Sequence, residues 1–365
     1  MTINEIITKV EQLCPISYQE DYDNCGLLTG NRKWNCKGIL ISLDCTEDIV
    51  DEAIKKGCNL IIAHHPIIFR GMKKITGKNY VERTVITAIK NDIAIYAAHT
   101  NLDNVLNGVN GKIAEKLGLL NLKILRPRDA QLNKLITFAP LDVAEKVRNA
   151  LFDAGGGAIG KYSECSFNIE GTGTFKPMEG SNPETGEIGK RYEGKEVKIE
   201  IIFPVYLKEQ IIRAMIEAHP YEEVAYDILS LGNHLSDVGS GVIGDLPEFL
   251  SESDLFQLIK REFGCKTIKH SAFLNKDVKR IAVCGGAGSF LISDAIKSGA
   301  DIFVTSDLKY HEYFDADNQL VLADIGHYES EQFTKDLLYE FLNEKNLNFA
   351  VLKSEVKTNP VSYFL

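Results

Sequence analysis

Two distant segments of the chain repeat one another, and this repeat restricts the fold more than any other feature of the sequence. Residues 39–62 align without a gap on residues 281–304. Each segment has the pattern of a short apolar strand, a helix, a glycine and a second apolar strand, and the alignment places Gly57 on Gly299. Helix–glycine–strand units look alike in many proteins, so chance can produce part of this likeness.

A second likeness follows with a changed offset and is harder to attribute to chance. His99 is followed four residues later by Asp103, and His327 is followed four residues later by Glu331. Each pair comes shortly after an apolar segment that predicts a strand. We interpret the repeat as an internal duplication, which predicts one site between two quasi-equivalent halves.

Short strands that are apolar throughout alternate with helices in both repeats. The predicted strands are Gly38–Leu43, Leu60–Ala63, Ile93–Ala98, Ile281–Cys284, Ile302–Thr305 and Leu320–Ala323, and the predicted helices are Glu47–Lys56 and Ser289–Lys297. Strands without polar alternation are typical of a parallel sheet covered on both faces. The sequence therefore predicts an α/β fold made of duplicated halves that form one domain.

The segment between the repeats, residues 128–231, has a different pattern. Its strands are predicted at 134–138, 167–174, 196–203 and 224–229, and its helices at 142–152 and 207–216. This βαββαβ order is that of a ferredoxin-like α+β domain. We therefore predict that 1–127 and 232–365 are the two halves of the α/β domain and that 128–231 is inserted between them.

Charge and cysteine content limit the function classes. The formal net charge of −10 disfavours a nucleic-acid partner, because an acidic protein repels phosphate backbones. The N-terminal residues lack the pattern of a signal peptide, and no run of about 18 apolar residues predicts a membrane span. The eight cysteines contain no Cys-x-x-Cys pair, which is typical of reduced thiols. We expect a cytoplasmic protein without a membrane partner.

Adjacent histidines, His64 and His65, follow directly on a predicted buried strand and precede Pro66. In open α/β sheets, ligands collect beyond the carboxyl ends of the strands. At the end of a strand the chain is free to turn, so each imidazole could serve a different metal ion. The alternative is a pair of histidines on a loop with ordinary hydrogen-bond partners.

The two His-x-x-x-acid pairs add ligand types of the same kind. If a helix begins near His327, then His327 and Glu331 share one face, and a carboxylate can bridge two ions through its two oxygens. The alternatives are an acidic helix N-terminus at Glu331 and a helix cap near Asp103. Together with His64 and His65, these residues are about what two closely spaced divalent ions need, and imidazole with carboxylate suits Zn, Fe or Mn.

Three weaker patterns remain. The glycine spacing of Gly239–Gly244 matches a dinucleotide loop, but no buried strand precedes it. The glycines of Gly285–Gly288 lie between a strand and a helix, where they are either a phosphate-binding turn or a plain tight turn. The segment Asp307–Glu312 follows a strand and offers a base, an acid and a cation, or is a solvated charged loop.

As a set, the motifs resemble those of a known family: the dinuclear-metal proteins named after yeast Ngg-interacting factor three, also called GTP cyclohydrolase 1 type 2 homologs. The matching motifs are Asp23–Leu27, His64–Pro66, His99–Asp103, Ser306–Glu312 and Gly326–Glu331. The resemblance implies that the metal ligands are His64, His65, Asp103, His327 and Glu331, with Glu331 bridging. It also implies a toroidal homohexamer whose metal sites face an internal cavity.

The inserted segment resembles the extra domain of longer bacterial members of this family, which is similar to PII and CutA proteins. The likeness is carried by His219–Ala225. PII-like and CutA-like folds generally bind effectors or metals, so the resemblance implies a ligand-binding role for the insertion.

Two functions compete. The first is a metal-dependent hydrolase with two divalent metal ions per chain and His99 and His311 as candidate catalytic proton carriers, because the pKa of imidazole lies near neutrality. The expected substrate is a nucleotide or a phosphoester-like molecule, and GTP cyclohydrolase activity is implied by the resemblance alone. The second is a non-enzymatic metal-handling or regulatory assembly whose inserted domain senses a ligand.

Overall fold

The computed structural model describes residues 1–364, and the chain divides into two compact units. One unit contains residues 1–127 and the chain from Asp237 onward, and the other contains residues 128–236. The predicted insertion, 128–231, lies within the second unit, which extends a further five residues. The chain rejoins the first unit at Asp237, whose carbonyl accepts a hydrogen bond from the Leu106 N–H at 2.8 Å. Among the described residues, no helix is long and apolar enough to cross a membrane.

The first sheet of the larger unit has five strands in the order β1-β4-β3-β2-β15. These strands are β1 (Gly26–Thr29), β2 (Gly38–Ser42), β3 (Leu60–Ala63), β4 (Ala94–Ala97) and β15 (Ala350–Lys353). The helices of this half are α1 (Ile3–Leu13), α2 (Glu47–Lys55), α3 (Tyr80–Lys90), α4 (Thr100–Asp103) and α5 (Val109–Lys116). β2, β3, β4 and β15 run parallel and β1 runs antiparallel.

The second sheet has six strands in the order β11-β14-β13-β12-β10-β5. These are β5 (Leu120–Pro127), β10 (Gly239–Ser251), β11 (Lys269–His270), β12 (Asp277–Ala287), β13 (Ile302–Ser306) and β14 (Val321–Asp324). Its helices are α8 (Glu252–Phe263), α9 (Ile292–Lys297), α10 (His327–Glu331) and α11 (Thr334–Asn343). β12, β13 and β14, which correspond to the three strands predicted for this half, run parallel, while β5, β10 and β11 add antiparallel pairings that the sequence analysis did not predict.

The aligned segments occupy equivalent places in the two sheets. Ile39 pairs with Leu60 in the first sheet, and Ile281 pairs with Ile302 in the second, which is the register that the gap-free alignment requires. In sheet order, each pair is extended by one more parallel strand and then by a short antiparallel strand. These strands are β4 and β1 in the first sheet and β14 and β11 in the second.

The parallel strands are apolar because both of their faces are covered. Every residue of β2, β3 and β4 is buried, and so is every residue of β13 and β14. Leu40 and Ile61 pack with Ile49 of α2 and Val85 of α3. Burying one such side chain contributes about 1.5–3 kcal/mol, so these layers hold the strand ends, and the side chains on them, in fixed positions.

The smaller unit contains β6 (Leu132–Pro140), α6 (Ala144–Asp153), β7 (Phe167–Phe175), β8 (Tyr192–Pro204), α7 (Lys208–Ala218) and β9 (Tyr226–Leu231). Its sheet is antiparallel throughout, in the order β7-β8-β6-β9. This is the βαββαβ order that the sequence predicts. Leu135, Ile199 and Phe203 form a core with residues of the two helices, such as Val147 and Met215.

Candidate metal centre

The carboxyl ends of the parallel strands bring the site residues together. His64 and His65 follow β3 directly, and His99 follows β4. The one-turn helix α4 then places Asp103, whose N–H donates to the His99 carbonyl at 3.1 Å. In the other half, α10 begins after Gly326 and puts its first and last residues, His327 and Glu331, on one face, as their spacing predicts.

One group of ligand atoms is formed by His64, Asp103 and Glu331. His64 Nε2 lies 3.6 Å from Asp103 Oδ1 and 3.8 Å from Glu331 Oε1. The Nδ1–H of His64 donates to the Ala98 carbonyl at 2.7 Å, so Nε2 presents its lone pair to the two carboxylates. Three acceptors therefore face one another in a buried space, which is the arrangement that a cation requires.

Two ligand atoms of this first group are buried without a hydrogen-bond partner among the described residues. His64 is fully buried, and neither its Nε2 nor Asp103 Oδ1 has a hydrogen-bond partner within residues 1–364. Leaving a buried polar group unsatisfied costs about 1–3 kcal/mol, and more for a charged one. The donor set of imidazole nitrogen and carboxylate oxygen fits a divalent transition metal.

A second group of ligand atoms is formed by His65, His327 and Glu331. The Nε2 atoms of His65 and His327 lie 2.9 and 3.0 Å from the same oxygen, Glu331 Oε2, and 3.3 Å from each other. Glu331 thus directs one oxygen to each group. Within each group the ligand atoms lie within 4.8 Å of one another, which is close enough to hold a metal ion.

Outer carboxylates orient the two histidines of the second group. The Nδ1–H of His65 donates to Asp44 at 2.8 Å, and that of His327 donates to Asp307 at 2.6 Å. Each bond fixes the ring so that Nε2 points inward, as carboxylates do behind metal-binding histidines. Asp44 is not among the residues that the sequence predicts, although its position just beyond the end of β2 is the same kind of signal as that of His64.

The electrostatics of the cluster are those of a site that holds positive charge. Burial opposes protonation of His65 and His327, but their carboxylate partners outweigh it and raise the pKa of His65 to about 10 and that of His327 to about 11. Burial and the charge of Glu331 raise the pKa of Asp103. Burial also acts on Glu331, but hydrogen bonds from the surrounding histidines hold its pKa well below the usual range. Protons or metal ions can supply this positive charge.

His99 lies beside both groups. Its ring centroid is 5.2 Å from that of His64 and 5.4 Å from that of His65, and the ligand atoms of the three histidines lie within 4.8 Å of one another. The Nδ1 of His99 forms a hydrogen bond of 2.8 Å with Asp23 Oδ1, so this histidine also has an orienting carboxylate. Its position suits a proton carrier or a further ligand.

His311 lies apart from the cluster. It is an exposed residue in the short 3-10 segment Tyr310–Ala316, and its ring packs only against Tyr310 and Phe314 of the same segment among the described residues. Its catalytic role stays a prediction.

The glycine N–H groups of Gly285–Gly288 are occupied within the chain. Those of Gly285, Gly286 and Gly288 donate to Asn110 Oδ1, Ser330 Oγ and Thr305 Oγ1. This occupancy favours the tight-turn interpretation over the phosphate-binding one, because three of the four N–H groups that would bind the anion are already used. The run instead makes space: a Cβ on Gly286 would lie 2.5 Å from Glu331 Oε1.

Gly239–Gly244 does not form a dinucleotide loop either. These residues are the first half of β10, paired with β5 on one side and β12 on the other. The lack of a preceding buried strand in the sequence already argued against a dinucleotide site, and this placement is consistent with that argument.

The fold and the site define a class of protein in which two α/β halves each contribute residues to one cluster of histidines and carboxylates. The chain belongs to the Duf34/NIF3 (NGG1p interacting factor 3) family, whose model matches residues 1–360. A protein of Halalkalibacterium halodurans named "GTP cyclohydrolase 1 type 2 homolog" is 39% identical over 363 residues, with 98% of each chain covered. A Bacillus subtilis protein of the same name is 38% identical over 365 residues, again with 98% of each covered.

Solved structures agree with this assignment. A Bacillus cereus protein related to NIF3 superposes with a TM-score of 0.87 at 40% identity, covering 100% of this chain and 99% of the other. A Staphylococcus aureus protein superposes with a TM-score of 0.78 at 31% identity over the same shares. The resemblance inferred from the motifs is confirmed.

Proposed function

We propose that this protein binds two divalent metal ions per chain and acts as a metal-dependent hydrolase on a nucleotide or phosphoester-like substrate. The observation that carries the proposal is the carboxylate of Glu331, which directs one oxygen toward His64 and Asp103 and the other toward His65 and His327. The proposed ligands are these five residues, with Glu331 bridging. The imidazole and carboxylate donors favour Zn, Fe or Mn.

When bound, a pair of such ions supplies Lewis-acid activation of water and of the attacked group. The chain's own contribution is to keep the ligands aligned and to move protons. Asp44 and Asp307 hold the protons on the Nδ1 atoms of His65 and His327, which leaves both Nε2 atoms free to bind. His99 is the proposed proton carrier, because Asp23 holds its Nδ1 while its other nitrogen remains available.

The names of the relatives support a nucleotide as the substrate, since both bacterial homologues are called GTP cyclohydrolase 1 type 2 homologs. Opening of the guanine ring by water is a metal-assisted hydrolysis and suits a centre of this kind. The test is a screen of the metal-reconstituted protein against GTP and a panel of phosphoesters. Turnover that disappears with chelator and returns with metal supports the proposal, and no turnover under any metal condition contradicts it.

A second function, a metal-handling or regulatory assembly, is favoured by a feature of the smaller unit. A cavity of about 1130 Å³ lies within that unit, lined by residues that include Phe175, Glu196, Lys198 and Tyr221. A cavity of this size suits a small-molecule effector. A metal-loaded protein that binds a ligand in this unit but turns nothing over would favour this alternative. The proposed assembly in either case is a toroidal homohexamer in the cytoplasm.

A further inference from the structure

A second cavity opens immediately beside the candidate metal centre. It has a volume of about 560 Å³ and is lined by the loop that joins β3 to α3 and by the first turn of α3. The lining begins at Pro66, the residue after the proposed ligand His65. The loop is anchored near its start, because Asn24 Nδ2 donates to the Ile68 carbonyl at 2.6 Å. Phe69, which also lines the cavity, packs against His99, so a ligand in this cavity would lie next to the centre.

Three cations line this cavity without any anionic partner. Arg70, Lys73 and Lys74 are exposed, and none of them forms an ion pair or a hydrogen bond within residues 1–364. They outnumber the one acid in the lining, Glu82, in a chain whose formal net charge is −10. An electropositive concave surface of this kind concentrates anions.

The one acid in the lining, Glu82, forms no ion pair with these cations within residues 1–364. Both oxygens of the Glu82 carboxylate are occupied by hydrogen bonds from the loop itself. The donors are the Thr76 N–H, the Thr76 hydroxyl, the Lys78 N–H and the Asn79 amide. These bonds lower the pKa of Glu82 and fix the shape of the loop. The side chains of Arg70, Lys73 and Lys74 take no part in them.

Two exposed aromatic rings lie beside the metal centre. Phe69 is 45% exposed, and its ring centroid is 6.2 Å from that of His99, in an edge-to-face arrangement. Tyr22, which is 68% exposed, lies 6.4 Å from Phe69. Exposed rings of this kind can stack on a planar group, and stacking is the usual way in which proteins hold a base without reading its edges.

We propose that the loop Phe69–Tyr80 is the phosphate-binding element of the substrate site, with Arg70, Lys73 and Lys74 as the anion contacts. The ligand class is a phosphorylated small molecule carrying a ring, whose phosphates lie in the cavity and whose ring packs on Phe69 beside the metal centre. This inference rests on the proposed function for the identity of the reacting site. Phosphate binding by the loop does not depend on the proposed function and is tested separately.

The test compares three ligands on the metal-loaded protein by titration calorimetry: GTP, tripolyphosphate and guanosine. We expect GTP and tripolyphosphate to bind and guanosine to bind far more weakly. The triple variant Arg70→Ala/Lys73→Ala/Lys74→Ala should weaken binding of both phosphate compounds by roughly tenfold or more, the scale of losing charge-assisted contacts. It should keep the wild-type metal content.

A matched variant removes the same charge elsewhere in the larger unit. Lys33→Ala/Lys90→Ala/Lys297→Ala replaces three cations outside the cavity and should leave tripolyphosphate binding unchanged. A thermal melt of each variant shows whether it is folded. Equal weakening in the two triple variants would reduce the effect to net charge and overturn the proposal.

A bound metal ion could also attract the phosphates, and Glu331→Ala separates the two sources. If binding is lost in Glu331→Ala and is unaffected in the loop variant, the anion binds the metal centre and the loop proposal is wrong. If the loop variant weakens binding but no compound is ever turned over, the phosphate site stands and the hydrolase proposal fails. Equal affinity for GTP and guanosine would overturn the phosphate site itself.

Discussion

At the scale of single residues, Glu331 is the point where the two groups of ligands meet. Its side chain is 3% exposed and its two oxygens face different histidines. We predict that Glu331→Ala removes both metal ions, whereas Asp103→Ala lowers the metal occupancy only of the group that contains His64. Elemental analysis of protein purified without chelator measures this, with Glu340→Ala on α11 as a control acid. Full occupancy in Glu331→Ala would remove this residue from the site.

The orienting carboxylates give a graded prediction. Asp44→Ala and Asp307→Ala remove the acceptor behind a histidine and should weaken metal affinity by roughly 10- to 100-fold. Asp44→Asn and Asp307→Asn keep an oxygen that can accept from Nδ1 and lose only the charge, so they should lose less. Competition with a chelator measures these affinities. An asparagine variant as weak as its alanine counterpart would show that charge, and not ring orientation, is what matters.

His99 provides the test of proton transfer. If the protein is a hydrolase, His99→Ala should lower turnover by on the order of 100-fold or more, the scale of losing a general acid or base, and leave metal content nearly intact. His311→Ala belongs in the same assay, since its place outside the cluster predicts unchanged metal content. A loss of metal that parallels the loss of turnover in His99→Ala would make His99 a ligand. Unchanged turnover in either variant would make that histidine structural.

At the scale of elements, the glycine run at the end of β12 determines where Glu331 can lie. Gly286 has a φ of +62°, and a Cβ there would lie 2.5 Å from Glu331 Oε1, whereas Gly299 has a φ of +71° with nothing within 4 Å of a Cβ. Both Gly→Ala changes should cost about 1–2 kcal/mol of unfolding free energy from backbone strain. Only Gly286→Ala should also lose metal. Thermal melts and elemental analysis separate the two effects, and equal metal content would contradict this role of Gly286.

How much of the centre could be predicted depended on whether the signal was local. His64, His65, His327 and Glu331 stand at the ends of apolar strands or at helical spacing, so their residue types and positions in the sequence are enough to indicate a site. Asp44 also stands just beyond a strand end, but its role depends on a ring 21 residues away, so its position alone did not single it out. Gly286 was open to two interpretations, since only the folded chain shows which side chain needs its space.

The same distinction applies to the sheets. The predicted strands of the repeats were found because each is a continuous apolar run, as in β2 and β3. β15 was not predicted, and it joins the first sheet from near the other end of the chain by pairing Val351 with Ile39. β10, the antiparallel partner of β12, was missed for a related reason: it begins in a glycine-rich segment and pairs with strands on both sides of the insertion. Pairing between segments far apart in sequence leaves little trace in local periodicity.

At the scale of the whole molecule, the ends of the insertion are neighbours within the larger unit. Pro127 of β5 pairs with Gly239 of β10, so a chain that skipped the insertion would need only a short turn between two adjacent antiparallel strands. The smaller unit has a core of its own, formed by residues such as Leu135, Ile199 and Phe203. Each unit therefore has what it needs to fold separately.

The last prediction follows from that arrangement. A chain in which residues 128–236 are replaced by a short flexible linker should fold, bind metal at wild-type stoichiometry and still assemble, because the proposed ligands and both sheets of the larger unit are retained. Light scattering with elemental analysis measures mass and metal together, with the full chain as the control. A hexameric mass in both proteins is the expected result and would place the contacts of the proposed ring in the larger unit. A folded, metal-loaded monomer would assign assembly to the insertion, and an aggregate without metal would contradict the proposed independence of the two units.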